Sequence, residues 1–268
     1  EIVEVCSPGT VINDFCRDVD NYLASIWIDC NEINDKKIHT VGISLINVQT
    51  GKNIVNHISS PISDENYWQN ELNRIMNSFS IVETVVHMSD SVTYSDNELT
   101  NIFDILDKCN SFHIYKKDIK QFSKIGYQNE ILQKIFKLTG LLSPIEFFNW
   151  ERKSEVLISY IIMIHHVYLH KADLINNIEQ PVELDNIDFL TITSDGVRQL
   201  NVVNNNNFYK GRGDSLVTLL NKSKTAMGRR EFKERLLAPS MDCDKIEQSY
   251  ENISLFINDN FYEDIRKH

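Results

Sequence analysis

The spacing of apolar residues changes period along the chain. Residues 1–6, EIVEVC, alternate as a strand does, Ser7-Pro8-Gly9-Thr10 reads as a turn, and 11–21 is a polar connection. Alternation then predicts strands at Leu23–Cys30, Thr40–Asn47 and Lys52–His57, the last two joined by a hairpin turn at Val48-Gln49-Thr50-Gly51. Trp68, Leu72, Ile75, Met76 and Phe79 fall at helical spacing and predict a helix over Tyr67–Phe79. A half-buried strand follows at Ile81–Met88, then a helix over Leu99–Lys108 and a strand at Ser111–Tyr115. Strands separated by helices that can cross back over a sheet predict an α/β domain.

Beyond Ile119 the pattern is helical. Ile131, Leu132, Ile135, Phe136 and Leu138 mark one helix, broken at Thr139-Gly140. Ser143-Pro144-Ile145-Glu146 has the form of a capping box with proline at the first helical position, and predicts a long helix to about Lys171. An irregular stretch, Ile178–Asp188, contains Pro181. Asp214 is placed to N-cap a short helix, Ser215–Leu220, with Leu216, Leu219 and Leu220 on one face. Thr225 is placed to cap the next helix, which turns Met227, Phe232, Leu236 and Leu237 inward. Arg229, Arg230, Lys233, Glu234 and Arg235 turn mostly outward, and Ala238-Pro239 stops the helix. Gly228, inside this helix, costs about 1 kcal/mol relative to alanine and so predicts a close approach. Ile246, Tyr250, Ile253 and Phe256 predict a final helix. The fold class expected is therefore α/β followed by mainly α.

Composition narrows the function. The 268 residues are 42% hydrophobic and 24% charged, as in a soluble globular protein. A net charge of −11 argues against a surface that wraps nucleic acid by itself. Cys6, Cys16, Cys30, Cys109 and Cys243 are odd in number and lack a C-x-x-C pair, which fits reduced thiols better than a secreted disulfide framework. The longest apolar run, Val156–Leu169, is too short to cross a bilayer. Both ends fall within sequence that has no closing feature, and the expectation is a fragment of something larger.

The most specific stretch is SLVTLLNKSKTAMGRREFKERLLAP, residues 215–239. Its Leu219, Leu220, Ser223, Thr225, Ala226, Gly228, Arg229, Arg230, Leu237 and Pro239 resemble the opening of the core domain in the MutS family of DNA mismatch-repair proteins. The turn Pro8-Gly9-Thr10 resembles the close of that family's mismatch-binding domain, and Asn21-Tyr22-Leu23-Ala24 with the following strands, taking Asn31–Lys37 as a variable insert, resembles its RNase H-like connector. Asp195 to Asn201 resembles in part the Asp-led run with a threonine and a leucine that stands before the family's core block, with Val197 in place of the threonine. The resemblance implies three parts: residues 1–20 as the end of the mismatch-binding domain and a linker, 21–137 as the α/β connector, and 138–268 as the first part of a helical core or lever domain. The Asn, Ile and Lys richness fits a giant-virus or mitochondrial branch.

The resemblance also implies that the sites of chemistry lie elsewhere. The intact protein is expected to be a DNA-dependent ATPase using ATP and Mg²⁺, a homo- or heterodimer on double-stranded mismatched DNA, with a MutL-type partner. The family's Phe-x-Glu wedge, which the resemblance places on an N-terminal domain, is not in this segment, and neither is a Gly-x-x-x-x-Gly-Lys-(Ser/Thr) phosphate loop. It is expected to have no catalytic residue, cofactor, metal or membrane contact, and to lie in an intracellular compartment that contains DNA. Other readings stay open. Asp29 and Asp90, near strand ends, suit an RNase H-like metal-dependent nuclease. The helical half suits a protein-interaction module. His166 and His170 have the i, i+4 spacing of a zinc pair, but Val167 lacks the carboxylate a metalloprotease needs, and core or surface histidines are the simpler reading. The tripeptide Arg212-Gly213-Asp214 is likewise read as leading into a helix cap rather than as an adhesion signal.

Overall fold

The structure is a computed structural model that describes residues 7, 9–10, 21–33, 36–79, 81–89, 100, 102, 111–114, 119–170, 172–184, 190, 192, 194–203 and 215–258. The strand expected at 1–6, most of the connection at 11–21 and most of the helix expected over Leu99–Lys108 lie outside the described residues, as does Asp90.

Six strands form one mixed sheet. β1 (Tyr22–Ile33), β2 (Lys36–Asn47) and β3 (Asn53–Ser59) run antiparallel in sequence, α1 (Tyr67–Ser78) crosses back, and β4 (Ile81–Met88) pairs parallel with β1. β5 (Ser111–Ile114) extends that side, and the two-residue β6 (Val182–Glu183) covers part of β3, giving the order β5-β4-β1-β2-β3-β6. Within the stretch expected as an insert, residues 31–33 and 36–37 instead continue β1 and β2 as paired strand. The β2–β3 turn forms as expected: the Asn47 side-chain carbonyl accepts the N–H of Gln49 and Thr50, and Gly51 takes φ +80°.

The two faces of the sheet carry separate cores, because strand side chains alternate. On one face Tyr22, Ala24, Ile26, Ile28, Ile43 and Leu45 pack with Trp68, Leu72 and Ile75 of α1. On the other Leu23, Trp27, Ile46, Val55 and Val85 pack beneath a buried 17-residue helix, Ser154–His170. Two shorter helices precede it, α2 (Ile125–Phe136) and α3 (Pro144–Phe147), so the buried helix is α4.

Ser143 does cap its helix in a full capping box with Glu146, but that helix is α3 and ends after one turn. Asn149 then adopts φ +57° and Trp150 to Lys153 turn the chain before α4 begins. The long helix also lies on the sheet. Its Val156, Tyr160 and Met163 pack with Leu23, Trp27 and Val85 of the strands. The reason is legible in small side chains: a Cβ on Gly42 would sit 2.1 Å from the Glu155 carbonyl, and Ser159 donates to the Ser25 carbonyl at 2.7 Å. The helix therefore rests directly on strand backbone.

Beyond β6 the described elements are helices: α5 (Ser194–Gln199), α6 (Leu216–Leu220), α7 (Ala226–Leu237) and α8 (Cys243–Asn258). Among the described residues no helix is long and apolar enough to cross a membrane. The close approach at Gly42 gives a direct test. Gly42→Ala is expected to cost about 3 kcal/mol by overpacking. Gly126→Ala, where a Cβ meets nothing within 4 Å, is expected to be neutral or slightly stabilising, both read from urea midpoints.

Candidate functional site

The signature residues fold into a cap-and-loop knot. Ser215, not Asp214, caps α6, in a reciprocal pair with Thr218: the Ser215 side chain accepts the Thr218 N–H and the Thr218 hydroxyl accepts the Ser215 N–H at 2.9 Å. Thr225 caps α7 as expected, its hydroxyl accepting the Gly228 N–H at 3.1 Å. A Cβ on Gly228 would lie 3.0 Å from that hydroxyl and 3.2 Å from Ser223 Cβ. The glycine thus makes room for its own capping loop rather than for a second helix, and the spacing Ser223, Thr225, Gly228 follows from this geometry. Arg229 reaches back and donates to the Lys224 carbonyl at 2.9 Å, while Asn221 donates to the Arg229 carbonyl at 3.1 Å. Ala226 and Arg230 are partly exposed, and the Pro239 carbonyl accepts from Leu190 N–H. Leu237 is buried as expected, but Met227 is 72% exposed and points outward, and Leu219 and Leu220 stand open on the surface. The Arg229 guanidinium closes the loop that precedes α7.

Sequence reasoning placed Glu234 outward, and the structure places it at the centre. Tyr22 donates its hydroxyl to Glu234 Oε1 at 3.0 Å, and Lys52 Nζ lies 2.9 Å from Oε2. Residues 212 and 182 positions apart thus meet on one carboxylate, which fastens α7 to the first strand and the start of the third. The two contacts differ in weight. Lys52 is 43% exposed, so its pair is worth under about 1 kcal/mol after screening. Tyr22 is 1% exposed, and a hydrogen bond to a charged group there is worth about 1.5–3 kcal/mol. A cleft of about 500 Å³ opens beside this joint, lined by Lys52, Ile54, Phe79, Leu184, Glu234 and Ala238 among others. Its rim charges are paired with one another, as in Arg235–Glu231 at 2.7 Å.

A second carboxylate, this one fully buried, went unnoticed in the sequence. Glu83 is 0% exposed in the strand IVETVVHM, whose alternation turns it toward α4. Gly9 N–H donates to Oε2 at 2.8 Å, and His113 and His166 bring Nε2 to 3.1 Å and 3.3 Å of Oε1. A charged carboxylate only accepts, so both rings carry the proton on Nε2. Burial opposes the charge, but bonds from His166, Ser7 and Gly9 and the positive charge of His166 outweigh it and bring Glu83 from 4.5 to about 2. His87, on the same strand, is driven down to about 4 by burial and then by the charge of His166, so it is neutral at pH 7. The signal in the sequence was a single acid at an inward position of an apolar strand.

The other candidates do not converge. His166 is held by Glu83 with the His170 ring tilted against it at 4.6 Å, and among the described residues no three His, Cys, Asp or Glu side chains could hold a metal. Asp29 accepts the Cys30 N–H at 2.9 Å. Cys30 is a buried free thiol and Cys243 an exposed one. Because the folded-state value of Glu83 is depressed, its contribution is complete above about pH 4.5 and is lost as pH falls through 2. The shift corresponds to about 3 kcal/mol. Glu83→Gln is expected to lower the urea midpoint at pH 7 and to leave a difference from wild type that closes as the pH is taken from 5 to 2.

Residues 195–268 match the family model of MutS domain III. Over nearly its whole length the chain is similar to a DNA mismatch repair mutS homolog of Acanthamoeba polyphaga mimivirus, with 29% identity over 99% of this chain and 26% of that protein. It is also similar to the DNA mismatch repair protein MutS of Borreliella afzelii, 27% identical over 96% of this chain and 27% of that protein, and to that of Fervidobacterium nodosum, 26% identical over 98% and 27%. A fowlpox virus resolvase, solved with Holliday junction DNA, aligns over 55% of this chain and 97% of its own at 11% identity and a TM-score of 0.32, too low to carry an argument. The chain spans about a quarter of the length of the curated relatives it matches. The domain III signature thus folds as one capped unit, in a chain that is similar to MutS proteins over nearly its whole length.

Proposed function

We propose that this chain is the connector and the opening part of the lever in a MutS-type mismatch-repair protein, and that it couples mismatch binding at one end to ATP turnover at the other. The observation that carries this is the Glu234 joint. A helix of the domain III segment is bolted to the connector sheet through Tyr22 and Lys52, so a rotation of one is felt by the other.

The chain's own role is mechanical. It is not itself an enzyme and holds no cofactor; the intact protein is a dimer that binds double-stranded mismatched DNA, with ATP and Mg²⁺ at its phosphate loop. The strongly acidic balance supports a segment that does not grip the DNA backbone alone. Its connector surface is offered to a MutL-type partner, in an intracellular compartment that holds DNA.

Three readouts test this. The 268-residue chain is expected to show no ATP turnover, to bind a G·T heteroduplex no better than homoduplex at moderate salt, and to retain a MutL-type protein on a surface at micromolar concentration. Turnover or heteroduplex selectivity would overturn the assignment of the chemistry to other segments. Absence of MutL-type binding would overturn the adaptor role.

A further inference from the structure

The upstream turn and the signature helix are fastened at adjacent residues of β1, Leu23 and Tyr22. Leu23 is the register partner of Glu83, and a Cβ on Gly9 would lie 3.1 Å from Leu23 Cβ and 2.9 Å from Glu83 Oε2. The Ser7–Thr10 turn is therefore seated on Leu23 and Glu83 with no slack, and Ser7 and Thr10 are themselves buried. Tyr22 is next in the chain and points to the opposite face, as adjacent strand residues do. There its ring meets Phe79 edge-on at 5.3 Å and its hydroxyl reaches Glu234. One peptide unit separates the two fastenings.

The pairing of β1 with β4 is also irregular at this place. Tyr22 lies opposite Ile81 and Leu23 opposite Glu83, so Val82 is an extra residue on β4. Such a bulge re-aims side chains and bends the strand that carries it. Here it sets Glu83 toward the turn and α4, on the face opposite to the one where Tyr22 meets α7. Tyr22 and Leu23 are buried at 1% and 0% exposure, so both side chains of the dipeptide are held in the packed interior on either face of the sheet.

We infer that the dipeptide Tyr22-Leu23 is a relay, by which displacement of the Ser7–Thr10 turn on one face of the sheet moves the α7 helix on the other face, and the reverse. It rests on the coupling role proposed above, and names the residues through which that coupling enters and leaves the connector. Glu83 and Glu234 are then positioning residues that act through β1.

Hydrogen exchange followed by mass spectrometry on the 268-residue chain tests the relay, since local opening is reported segment by segment. Tyr22→Phe removes one hydroxyl and keeps the ring, and Gly9→Ala disturbs only the seat of the turn. Tyr22→Phe is expected to speed exchange in 226–237 and also in the 7–10 turn by about threefold or more, and Gly9→Ala to do the same in the reverse sense. Exchange in α2, which touches neither fastening, is expected to stay as in the wild type. Lys52→Gln weakens the hold on Glu234 from the surface, and gives the same pattern in milder form if Gly9→Ala unfolds the chain. Effects confined to the mutated side, with the other side at wild-type rates, would overturn the relay. Partner binding and ATP coupling are not read by this experiment, so a failure of the wider functional reading shows separately.

Discussion

A carboxylate without access to water has to be surrounded by donors, and Glu83 takes them from three separate places. The upstream turn supplies the Gly9 N–H and the Ser7 hydroxyl, β5 supplies His113 and the end of α4 supplies His166. An unpaired charge at this depth would cost several kcal/mol, so each element is held as firmly as the charge needs it. The rest of the architecture follows from the place where this happens. Glu83 sits beside Leu23 at the start of β1, and Tyr22, one residue away, holds the signature helix through Glu234. A corner of the sheet thereby becomes the meeting point of the segment before it and the segment after it.

Small residues complete the arrangement. Gly42, Ser25, Ser44 and Ser159 let α4 lie against strand backbone, which fixes where the helix ends and so where His166 meets Glu83. Gly9 and Gly228 do the same for the two turns, one against Glu83 and Leu23, the other against Ser223 and Thr225. In each case the side chain that is missing sets the geometry.

Much of this was legible in the sequence because it is local. Period-two alternation marked β1, β2, β3 and β4, the Asn47–Gly51 turn was visible in its residue types, and Thr225 as a cap and Pro239 as a stop are short-range signals. What stayed hidden depends on contacts between distant residues. Glu234 has the spacing of a solvated helix face and becomes central only because Tyr22 and Lys52 arrive from far earlier in the chain. Met227 has the spacing of an inward residue and points out, since no described element covers that side of α7. Ser143 signals a helix start correctly, but the length of that helix is set by the Asn149 turn. The long apolar helix reads alike as lever or as sheet cover, and Gly42 decides between them.

The architecture therefore depends on a charged Glu83 at the corner where the turn, the sheet and α4 meet. Its most direct measurement is a ¹³C NMR titration of the Glu83 side-chain carboxyl, assigned by its loss in Glu83→Gln. A midpoint near 2 is the result expected for a carboxylate caged by Gly9, Ser7, His113 and His166. A midpoint near the ordinary 4.5 would show that the cage does not hold the charge, and would contradict the account.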